Sequence, residues 1–353
     1  MRLFSTEQVS KYHPDKLADR ISDTLLAEYL SQDPNAKCGI ETLVKDDTVV
    51  ISGEVSSNAK INKEKIIKEI MKEMHYKLTN IIDLISTQSP EINNAITSKE
   101  NLGAGDQGIM FGYASSDNEN YLPNGFNYAN RVIEALENDI AINTNSILKG
   151  DAKCQITVDL DSPNNVPKVI LVSVCHKEGL ELNQVQEYVK KLLKNNNLYF
   201  EDTEYILNPS GTWNIGGPAS DAGLTGRKIV CDQYGGYIPV GGGAFSGKDL
   251  TKVDRSASYM ARIIAVDILN KYDLKECVVE FAYGIGIEKP ISIYIKTDRD
   301  NTLDGNTIIE YIKKNYDLTP RGMIKYLNLK KEDYIYLSGG NHMEKIIKIM
   351  KKR

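Results

Sequence analysis

The chain uses one pattern of helix, strand, strand and helix three times, and this internal repeat constrains its fold more than any other feature. In the first copy, apolar positions at helical spacing over residues 15–31 precede two strand-like runs at 36–45 and 48–56. An aspartate pair between these runs predicts a tight turn. The copy ends on the amphipathic stretch 61–74, for which Asn62 is the predicted N-cap.

The second and third copies keep the order of the first. Their helices and strands are predicted at 127–138, 152–160, 168–175 and 182–193, and then at 253–272, 277–286, 291–297 and 306–316. Cys38, Cys154 and Cys277 fall at the same place in each copy, where a small apolar side chain packs a strand against its helices. We therefore interpret these three cysteines as core residues.

Short connections within each strand pair predict antiparallel hairpins, because parallel strands need long crossover connections. The repeat therefore predicts an α+β protein of three similar domains, each with helices on one face of a small sheet. Boundaries are expected near Asn101 and Ile215, which gives domains at 1–101, 102–215 and 216–353.

Composition and charge narrow the class of protein. The 353 residues have a formal charge of −5, and no basic tail or stripe predicts nucleic-acid binding. No apolar run reaches the ~18 residues of a membrane span, and the N-terminus has no signal-peptide pattern. The five cysteines are dispersed and lack CxxC spacing, which favours reduced thiols in a cytoplasmic protein and predicts no zinc site.

The segment GGGAFSGKDLTKVDRS, residues 241–256, carries the most chemistry. Its three glycines let the backbone approach a ligand closely. Lys248 and Lys252 supply positive charge, and Asp249 and Asp254 supply carboxylates for a hard divalent cation. A helical pattern starts near Lys252, and the exposed amides of a helix start favour phosphate. The segment therefore predicts a site for a polyphosphate and a metal ion.

Two other interpretations of this segment stay open from its residues alone. Gly242–Lys248 fits the first part of a P-loop, which would indicate a kinase or another nucleotide triphosphatase. However, Asp249 stands where a P-loop has Ser or Thr, and no clean strand precedes the glycines. The second alternative is a mobile glycine loop with solvated lysines.

Other segments contain residues suited to a nucleotide site. His13 lies in HPDK at a helix entry, Asp106 lies in a glycine-rich loop, and Trp213 offers a face for a purine. Each also has a purely structural interpretation, namely a packed histidine, an Asx turn and a core tryptophan. The adjacent Arg227 and Lys228 suit phosphate oxygens.

Two glutamates, Glu41 and Glu54, lie inside the predicted strands of the first copy. A strand carboxylate that faces a sheet interior needs a counter-charge or a bound cation. One that faces solvent carries no such information, and the residues alone do not distinguish the two cases.

Five motifs occur in a fixed order: HPDK (13–16), GAGDQG (103–108), GGP (216–218), DAGLTGRK (221–228) and GGGAFSGKD (241–249). In these motifs, from about Phe4 to the region of Leu327, the chain resembles the S-adenosylmethionine synthetase family, also called methionine adenosyltransferases. The resemblance implies a fold of three similar α+β domains around a pseudo-threefold axis, which agrees with the repeat.

The resemblance also implies a reaction in two steps. Methionine sulfur attacks C5′ of ATP to give S-adenosylmethionine, and the bound triphosphate is then hydrolysed to phosphate and diphosphate. No side-chain nucleophile is needed, because the site has only to align two substrates and stabilise charge on the polyphosphate. The implied cofactors are a pair of Mg2+ ions and K+. The implied assembly is a homodimer or a dimer of dimers with active sites between subunits.

Residue roles follow position by position from the resemblance. The implied catalytic residues, which also contact ATP, are His13, Lys153, Arg227, Lys228 and Lys248. Further ATP contacts are implied for Asp106, Asp151, Trp213, Asp221 and Ala244. Methionine binding is implied for Glu54, Gln88, Asp221 and Lys252, magnesium binding for Asp15 and Asp254, and potassium binding for Glu41.

The chain departs from the family pattern at several places. Tyr12 replaces the usual Gly before HPDK, and Thr212 replaces the usual Arg before the stacking aromatic residue. The loop from Gln88 to Leu102 looks shortened, and the C-terminus lacks the usual Gly-His-Phe-Gly-Arg run. The basic tail at 340–353 is expected either to cap a domain or to be disordered. Because every charged residue that the displacement needs is present, an active enzyme is favoured over a degenerate nucleotide-binding regulatory homologue.

Overall fold

The computed structural model describes residues 1–87, 102–162, 165–299 and 302–353. The first part of the chain forms β1 (Leu3–Val9), α1 (Pro14–Gln32), β2 (Lys37–Lys45), β3 (Thr48–Ser56), α2 (Lys63–Glu73) and β4 (Asn80–Ser86). The middle part forms β5 (Gly108–Ser115), α3 (Asn124–Ile142), β6 (Leu148–Asp159), β7 (Pro167–His176), α4 (Leu182–Asn195) and β8 (Glu204–Leu207). The last part forms β9 (Gly223–Leu224), α5 (Ile229–Asp232), α6 (Val253–Lys271), β10 (Glu276–Tyr283), β11 (Ser292–Thr297), α7 (Gly305–Asn315), α8 (Pro320–Leu327), α9 (Lys331–Leu337) and α10 (His342–Lys351).

The helix–strand–strand–helix unit is present three times, as the repeat predicts, and the α+β class is confirmed. Each strand pair is an antiparallel hairpin. Asp46 adopts a left-handed conformation (φ 54°) and forms the two-residue turn with Asp47. The side chain of Asn62 caps α2 by accepting a hydrogen bond from Lys65 N at 2.9 Å. Local turn and cap chemistry therefore set these element ends as expected.

Each of the three sheets is completed by a strand from another part of the chain. The sheet orders are β4-β3-β2-β9, β1-β6-β7-β8 and β11-β10-β5. The exchange is cyclic, because β1 joins the middle hairpin, β5 joins the last hairpin and β9 joins the first. The units are therefore interlocked, and the contiguous domain boundaries at Asn101 and Ile215 stay a prediction.

The main hydrophobic core lies between the sheets and the helices α1 and α6, which are buried along most of their length. A second core lies between β6 and β7 and the helices α3 and α4. Cys38, Cys154 and Cys277 are all buried, and burial raises the pKa of the Cys38 thiol to about 12. Their interpretation as packing residues is confirmed. Of the helices in the described residues, none combines the length and the hydropathy that a membrane crossing requires.

The C-terminal tail and Tyr12 both contribute to this core. Met343 and Ile346 of α10 are fully buried, so the tail caps the fold and is ordered. The Tyr12 ring packs on Gly150, which has φ 107° and where a Cβ would lie 2.7 Å from Tyr12 Cγ. The larger residue at position 12 therefore fills core space.

Candidate active site

The start of α1 places a neutral histidine beside a buried carboxylate. His13 is the N-cap, and its Nδ1 accepts a hydrogen bond from Asp15 N at 3.1 Å, so the neutral ring carries its proton on Nε2. Burial, and then the positive charge of Lys228, lower the pKa of His13 to about 4. The 3.7 Å approach of His13 to the Asp15 carboxylate is therefore not an ion pair at neutral pH. His13 instead offers an N–H donor, which suits its predicted role beside an anionic oxygen.

Both oxygens of Asp15 have protein partners. Its Oδ1 accepts from Leu224 N at 2.9 Å, and its Oδ2 accepts from Lys228 Nζ at 2.5 Å. Burial alone would raise the pKa of Asp15, but these two hydrogen bonds outweigh it and hold the pKa below its usual value. The predicted magnesium ligand is therefore ionised and pre-positioned.

Asp15 belongs to a stripe of buried aspartates along one face of α1. Asp19 Oδ1 accepts from Gly226 N at 2.9 Å, and Asp23 Oδ1 accepts from Gly247 N at 2.9 Å. The stripe therefore fastens both loops that carry the predicted phosphate-binding cations. Our sequence reasoning missed Asp19 and Asp23, although their four-residue spacing from Asp15 was an available signal.

Cations inside the core neutralise this stripe. Lys16 Nζ lies 2.7 Å from Asp19 Oδ2 and 2.6 Å from Asp232 Oδ1. Arg255 donates two hydrogen bonds to Asp23, at 2.6 and 2.9 Å. Burial nevertheless raises the pKa of Asp19 to about 7, against the opposing charge of Lys16. Removing one partner from such a buried pair typically costs about 3–5 kcal/mol, so the loops are held on a rigid support.

Strand β6 contributes Asp151 and Lys153. Asp151 is buried, and its Oδ2 accepts from Gly217 N at 2.7 Å, whereas its Oδ1 has no hydrogen-bond partner among the described residues. Burial raises the pKa of Asp151 to about 6, although the Gly217 hydrogen bond and Lys153 oppose the shift. Because buried polar atoms almost always have partners, the free oxygen indicates a ligand that supplies a donor. This observation fits the predicted ATP contact.

Trp213 is half-buried in the loop that leads to Gly217. It lies outside the two hydrophobic cores, so the interpretation as a core tryptophan is wrong. Its Nε1 donates to Ile215 O at 2.7 Å, and its main-chain N donates to His176 Nε2 at 2.9 Å. The indole ring is therefore held in place from two sides.

Loop 221–228 completes this part of the site. Arg227 and Asp221 are exposed, and Lys228 reaches Asp15. Lys228, Lys153 and Asp221 all act electrostatically on the His13 ring, so they lie around it. We call this group the His13 cluster, and its members are His13, Asp15, Asp151, Lys153, Trp213, Asp221, Arg227 and Lys228.

A second cluster forms at the start of α6. Asp254 is the second residue of α6, as Asp15 is of α1, and Lys248 Nζ lies 2.6 Å from its Oδ2. Gly243 packs directly on this carboxylate, because a Cβ there would lie 2.1 Å from Asp254 Cγ. The glycine loop is therefore shaped around a predicted magnesium ligand.

Asp249 and Lys252 attach this loop to β2. Lys252 is the N-cap residue of α6, and its Nζ lies 3.0 Å from Asp249 Oδ2. The same oxygen accepts from Cys38 N at 2.7 Å. Asp249, which the sequence offered as a second carboxylate for a cation, is thus engaged with protein groups.

Strand β2 also connects Lys248 with the two strand glutamates. Gly39 forms a β-bridge with Lys248 and is the register partner of Glu54 on β3. Glu41 lies two residues further along β2 and points to the same side. Both glutamates are exposed, so the cost of burying a strand carboxylate does not arise.

The glycine loop before β5 lies against α6. A Cβ at Gly108 would lie 3.4 Å from Asp254 Oδ1, and the exposed Asp106 lies two residues before Gly108. We call the group the Lys248 cluster, and its members are Glu54, Asp106, Ala244, Lys248, Lys252 and Asp254. The predicted methionine contact Gln88 lies outside the described residues.

The two clusters approach each other where Ala244 meets Gly226, since a Cβ at Gly226 would lie 2.4 Å from Ala244 Cβ. The loop itself does not form a P-loop. No strand leads directly into Gly242, and four residues separate Lys248 from α6. A P-loop runs from a strand through the glycines straight into a helix.

The donor set fits magnesium better than it fits a closed metal site. Among the described residues, no three His, Cys, Asp or Glu side chains are grouped so as to hold a metal ion. Mg2+ usually takes one or two carboxylates and completes its shell with water and substrate phosphates. Asp15 and Asp254 each provide one such carboxylate beside a lysine.

The sequence of the chain is similar to those of known proteins from one family. Models of the S-adenosylmethionine synthetase N-terminal, central and C-terminal domains match residues 1–100, 101–213 and 215–352. An S-adenosylmethionine synthase from Borrelia garinii subsp. bavariensis is 41% identical over 351 residues, which cover 94% of this chain and 90% of that protein. The S-adenosylmethionine synthases of Borreliella afzelii (40% identity; 97% and 92% covered) and Brachyspira hyodysenteriae (37%; 94% and 90%) are similar. The chain belongs to the S-adenosylmethionine synthetase family.

Proposed function

We propose that the protein is an S-adenosylmethionine synthetase, which transfers the adenosyl group of ATP to methionine sulfur and then hydrolyses the bound triphosphate to phosphate and diphosphate. Its family membership supports this activity. The observation that carries the proposal is the His13 cluster, where Lys228 and Lys153 act on a neutral histidine and Lys153 also acts on Asp151, the carboxylate with a free oxygen. That set suits ATP at the moment when charge builds on its phosphates.

The reaction requires these residues to compensate the charge of the leaving group and to orient C5′ for attack. A lone pair of the methionine sulfur forms the bond to C5′, and the C5′–O bond breaks with its electrons passing to triphosphate. In this proposal the Nε2–H of His13 donates a hydrogen bond to that leaving oxygen, whose charge is compensated by Lys153, Arg227, Lys228 and Lys248. Trp213 and Asp151 hold the nucleoside, because stacking and one hydrogen bond orient C5′ for attack.

We propose that Asp15 and Asp254 hold a pair of Mg2+ ions and that Glu41 binds K+. Bound magnesium would neutralise the polyphosphate as a Lewis acid. In the described structure the two aspartates face Lys228 and Lys248 instead. These lysines are then the residues that must turn toward phosphate oxygens when nucleotide and metal bind.

One assay tests the function. With ATP, methionine, Mg2+ and K+, we expect S-adenosylmethionine and phosphate in equal amounts, and neither product when methionine is left out. Phosphate without S-adenosylmethionine would indicate a nucleotide triphosphatase. Neither product under any condition would indicate the degenerate regulatory homologue.

We also propose that each active site lies between two subunits of a homodimer or of a dimer of dimers. The predicted methionine contacts Glu54 and Lys252 belong to the Lys248 cluster, whereas most nucleotide contacts belong to the His13 cluster. The outer face of the β4-β3-β2 sheet carries Leu43, Ile82 and Leu84, which are 41%, 40% and 59% exposed. An apolar patch of this kind favours a protein interface. It adjoins the strand glutamates, so a partner there would reach the site.

Mixing two inactive variants tests this arrangement. Lys228→Ala disables the His13 cluster, and Lys248→Ala disables the Lys248 cluster while leaving the fold intact, because its charge faces the polyphosphate. If sites form between subunits, a random mixture of the two chains recovers about a quarter of wild-type activity, because half of the dimers are mixed and each has one intact site.

The control is each variant mixed with itself, which stays inactive. A lack of recovery from mixed dimers, verified by differently tagged chains, would place the whole site within one subunit. If Lys248→Ala has native thermal stability and makes S-adenosylmethionine at the wild-type rate, Lys248 is not a catalytic residue.

A further inference from the structure

His176, the last residue of β7, holds the main chain of Trp213 on both sides. The N–H of His176 donates to Trp213 O at 2.9 Å, and Trp213 N donates to His176 Nε2 at 2.9 Å. The imidazole is fully buried. The backbone and the side chain of His176 therefore hold both main-chain polar groups of Trp213, in the loop that carries the predicted adenine platform.

The surroundings of the ring determine its tautomer. Because Nε2 must accept from Trp213, the neutral ring carries its proton on Nδ1, which lies 2.9 Å from Lys177 O. The side-chain amide of Asn214 donates to the same carbonyl at 3.1 Å. The His176 ring is thus fixed in orientation: its Nε2 accepts from Trp213 N, and its Nδ1 donates to Lys177 O, which Asn214 also contacts.

The indole ring is oriented in turn by its own loop. Trp213 Nε1 donates to Ile215 O at 2.7 Å, and two residues later Gly217 N donates to Asp151 Oδ2 at 2.7 Å. The main chain from Trp213 to Gly217 is therefore anchored at both ends, by His176 at one and by Asp151 at the other. The indole ring and the free oxygen of Asp151 are held in a constant relation without any ligand.

We propose that His176 is a positioning residue for nucleotide binding, which acts by holding Trp213 in the orientation that receives the adenine ring. The inference rests on the proposed function of Trp213 as a nucleotide contact. His176 lies behind the loop and touches neither substrate, so its loss weakens the capture of ATP more than the displacement step. Because the loop is already ordered before ATP binds, binding does not lose the conformational entropy of the loop.

Two substitutions of matched shape separate the acceptor from mere packing. His176→Phe keeps a ring but leaves Trp213 N without an acceptor, whereas His176→Gln places an amide oxygen near the former Nε2. For His176→Phe we expect the KM for ATP to rise about tenfold, the factor that corresponds to one buried hydrogen bond. The KM for methionine and kcat should change about twofold or less, and His176→Gln should restore most of the loss.

Fluorescence gives a readout independent of turnover, because Trp213 is the only tryptophan of the chain. Adenylyl imidodiphosphate, an ATP analogue that is not hydrolysed, should quench its emission in the wild-type protein. In His176→Phe the unliganded emission should shift to longer wavelength as the loop loosens, and the analogue should bind about tenfold more weakly.

Several outcomes would overturn the proposal. An unchanged KM for ATP and unchanged emission in a folded His176→Phe protein would do so, and so would equal defects in the Phe and Gln variants. If His176→Phe does not fold, Asn214→Ala is the variant to test. It removes the hydrogen bond from Asn214 to Lys177 O without leaving a buried group unpaired. It should raise the KM for ATP by about twofold to threefold, and no change would count against the role.

The same experiment distinguishes this proposal from the proposed activity. If the wild-type protein makes no S-adenosylmethionine but the analogue still quenches Trp213, and His176→Phe weakens that quenching, the activity is wrong and the positioning role stands. If the wild-type protein makes S-adenosylmethionine and Trp213 does not respond to the analogue, the positioning role is wrong and the activity stands.

Discussion

Two helices of the repeat, α1 and α6, start in the same way and are used differently. Each has an aspartate as its second residue, Asp15 in α1 and Asp254 in α6. Each aspartate meets a lysine from a glycine-containing loop, at 2.5 Å for Lys228 and 2.6 Å for Lys248. A carboxylate in the first turn is favoured by the positive end of a helix in both cases.

The difference lies in what else holds the carboxylate. The Asp15 side chain is 2% exposed and also accepts from Leu224 N, whereas the Asp254 side chain is 12% exposed. Asp15 therefore has a structural task, since it fastens the loop that carries Lys228. Asp254 rests against Gly243 and is free to exchange its lysine for another cation. The Asp15 carboxylate is thus fixed by the backbone at the start of α1, whereas the Asp254 carboxylate at the start of α6 can change its partner.

The third equivalent helix shows that this use is not a general property of the unit. Helix α3 starts at Asn124 after Pro123, with no acidic residue in its first turn. The middle part of the chain instead supplies Asp151 and Lys153 from β6 and Trp213 from a loop. In the proposed site, two units thus offer helix starts to the phosphates, and the middle unit offers Asp151 and Trp213 to the nucleoside and Lys153 to the phosphates.

The largest expected effect separates the two helix starts directly. Asp15→Ala and Asp254→Ala should both reduce S-adenosylmethionine formation by about a hundredfold or more, as loss of a charge-stabilising group does. Asp15→Ala should also lower the free energy of unfolding by about 2–3 kcal/mol, because it leaves Leu224 N without its acceptor. Asp254→Ala should lower it by about 1 kcal/mol or less, since Lys248 regains water.

Urea unfolding at pH 7 without nucleotide or metal measures these differences. Ile142→Ala serves as the control variant, because it removes a side chain that is 79% exposed at the end of α3, away from both clusters and from the proposed interface. Equal losses of stability in the two aspartate variants would contradict the division into a rigid and an adaptable helix start.

A smaller effect on stability, of opposite sign, is expected at β6, the strand that carries Asp151. Burial raises the pKa of Asp151 from 3.8 to about 6. The stability that the neutral carboxyl contributes is fully present below pH 3.8 and is lost as the pH rises through about 6. Asp151→Asn stays neutral and keeps an acceptor for Gly217 N, so at pH 8 it should be roughly 2 kcal/mol more stable than the wild type.

Unfolding free energies between pH 4 and pH 8 check this expectation. The advantage of Asp151→Asn should shrink toward zero at pH 4, while its affinity for ATP falls at every pH because the free acceptor oxygen is lost. A variant that is less stable than the wild type at pH 8 would show that the Asp151 carboxylate is stabilised by charges around it. The middle unit would then resemble the helix start at Asp15.

Much of the local structure was predictable from the residues. The three helix–strand–strand–helix units, the aspartate turn and the Asn62 cap all follow from periodicity and cap chemistry. The motif residues could also be named as site candidates, because HPDK, DAGLTGRK and the glycine loop are contiguous strings; their roles stay a prediction. Asp19 and Asp23 were missed, since their partners Gly226 N and Gly247 N lie more than 200 residues away along the chain.

The amino-acid sequence by itself determined the repeat, the buried cysteines and the two aspartates that open α1 and α6. These features depend on neighbours within a few residues, where spacing and residue type carry the information. Only the tertiary structure decided that β1, β5 and β9 are exchanged cyclically and that Glu41 and Glu54 face outward. It also decided that His176 forms hydrogen bonds with the main chain of Trp213. These outcomes depend on pairing between distant segments, and neither periodicity nor motif spacing encodes which distant edge a strand or loop will meet.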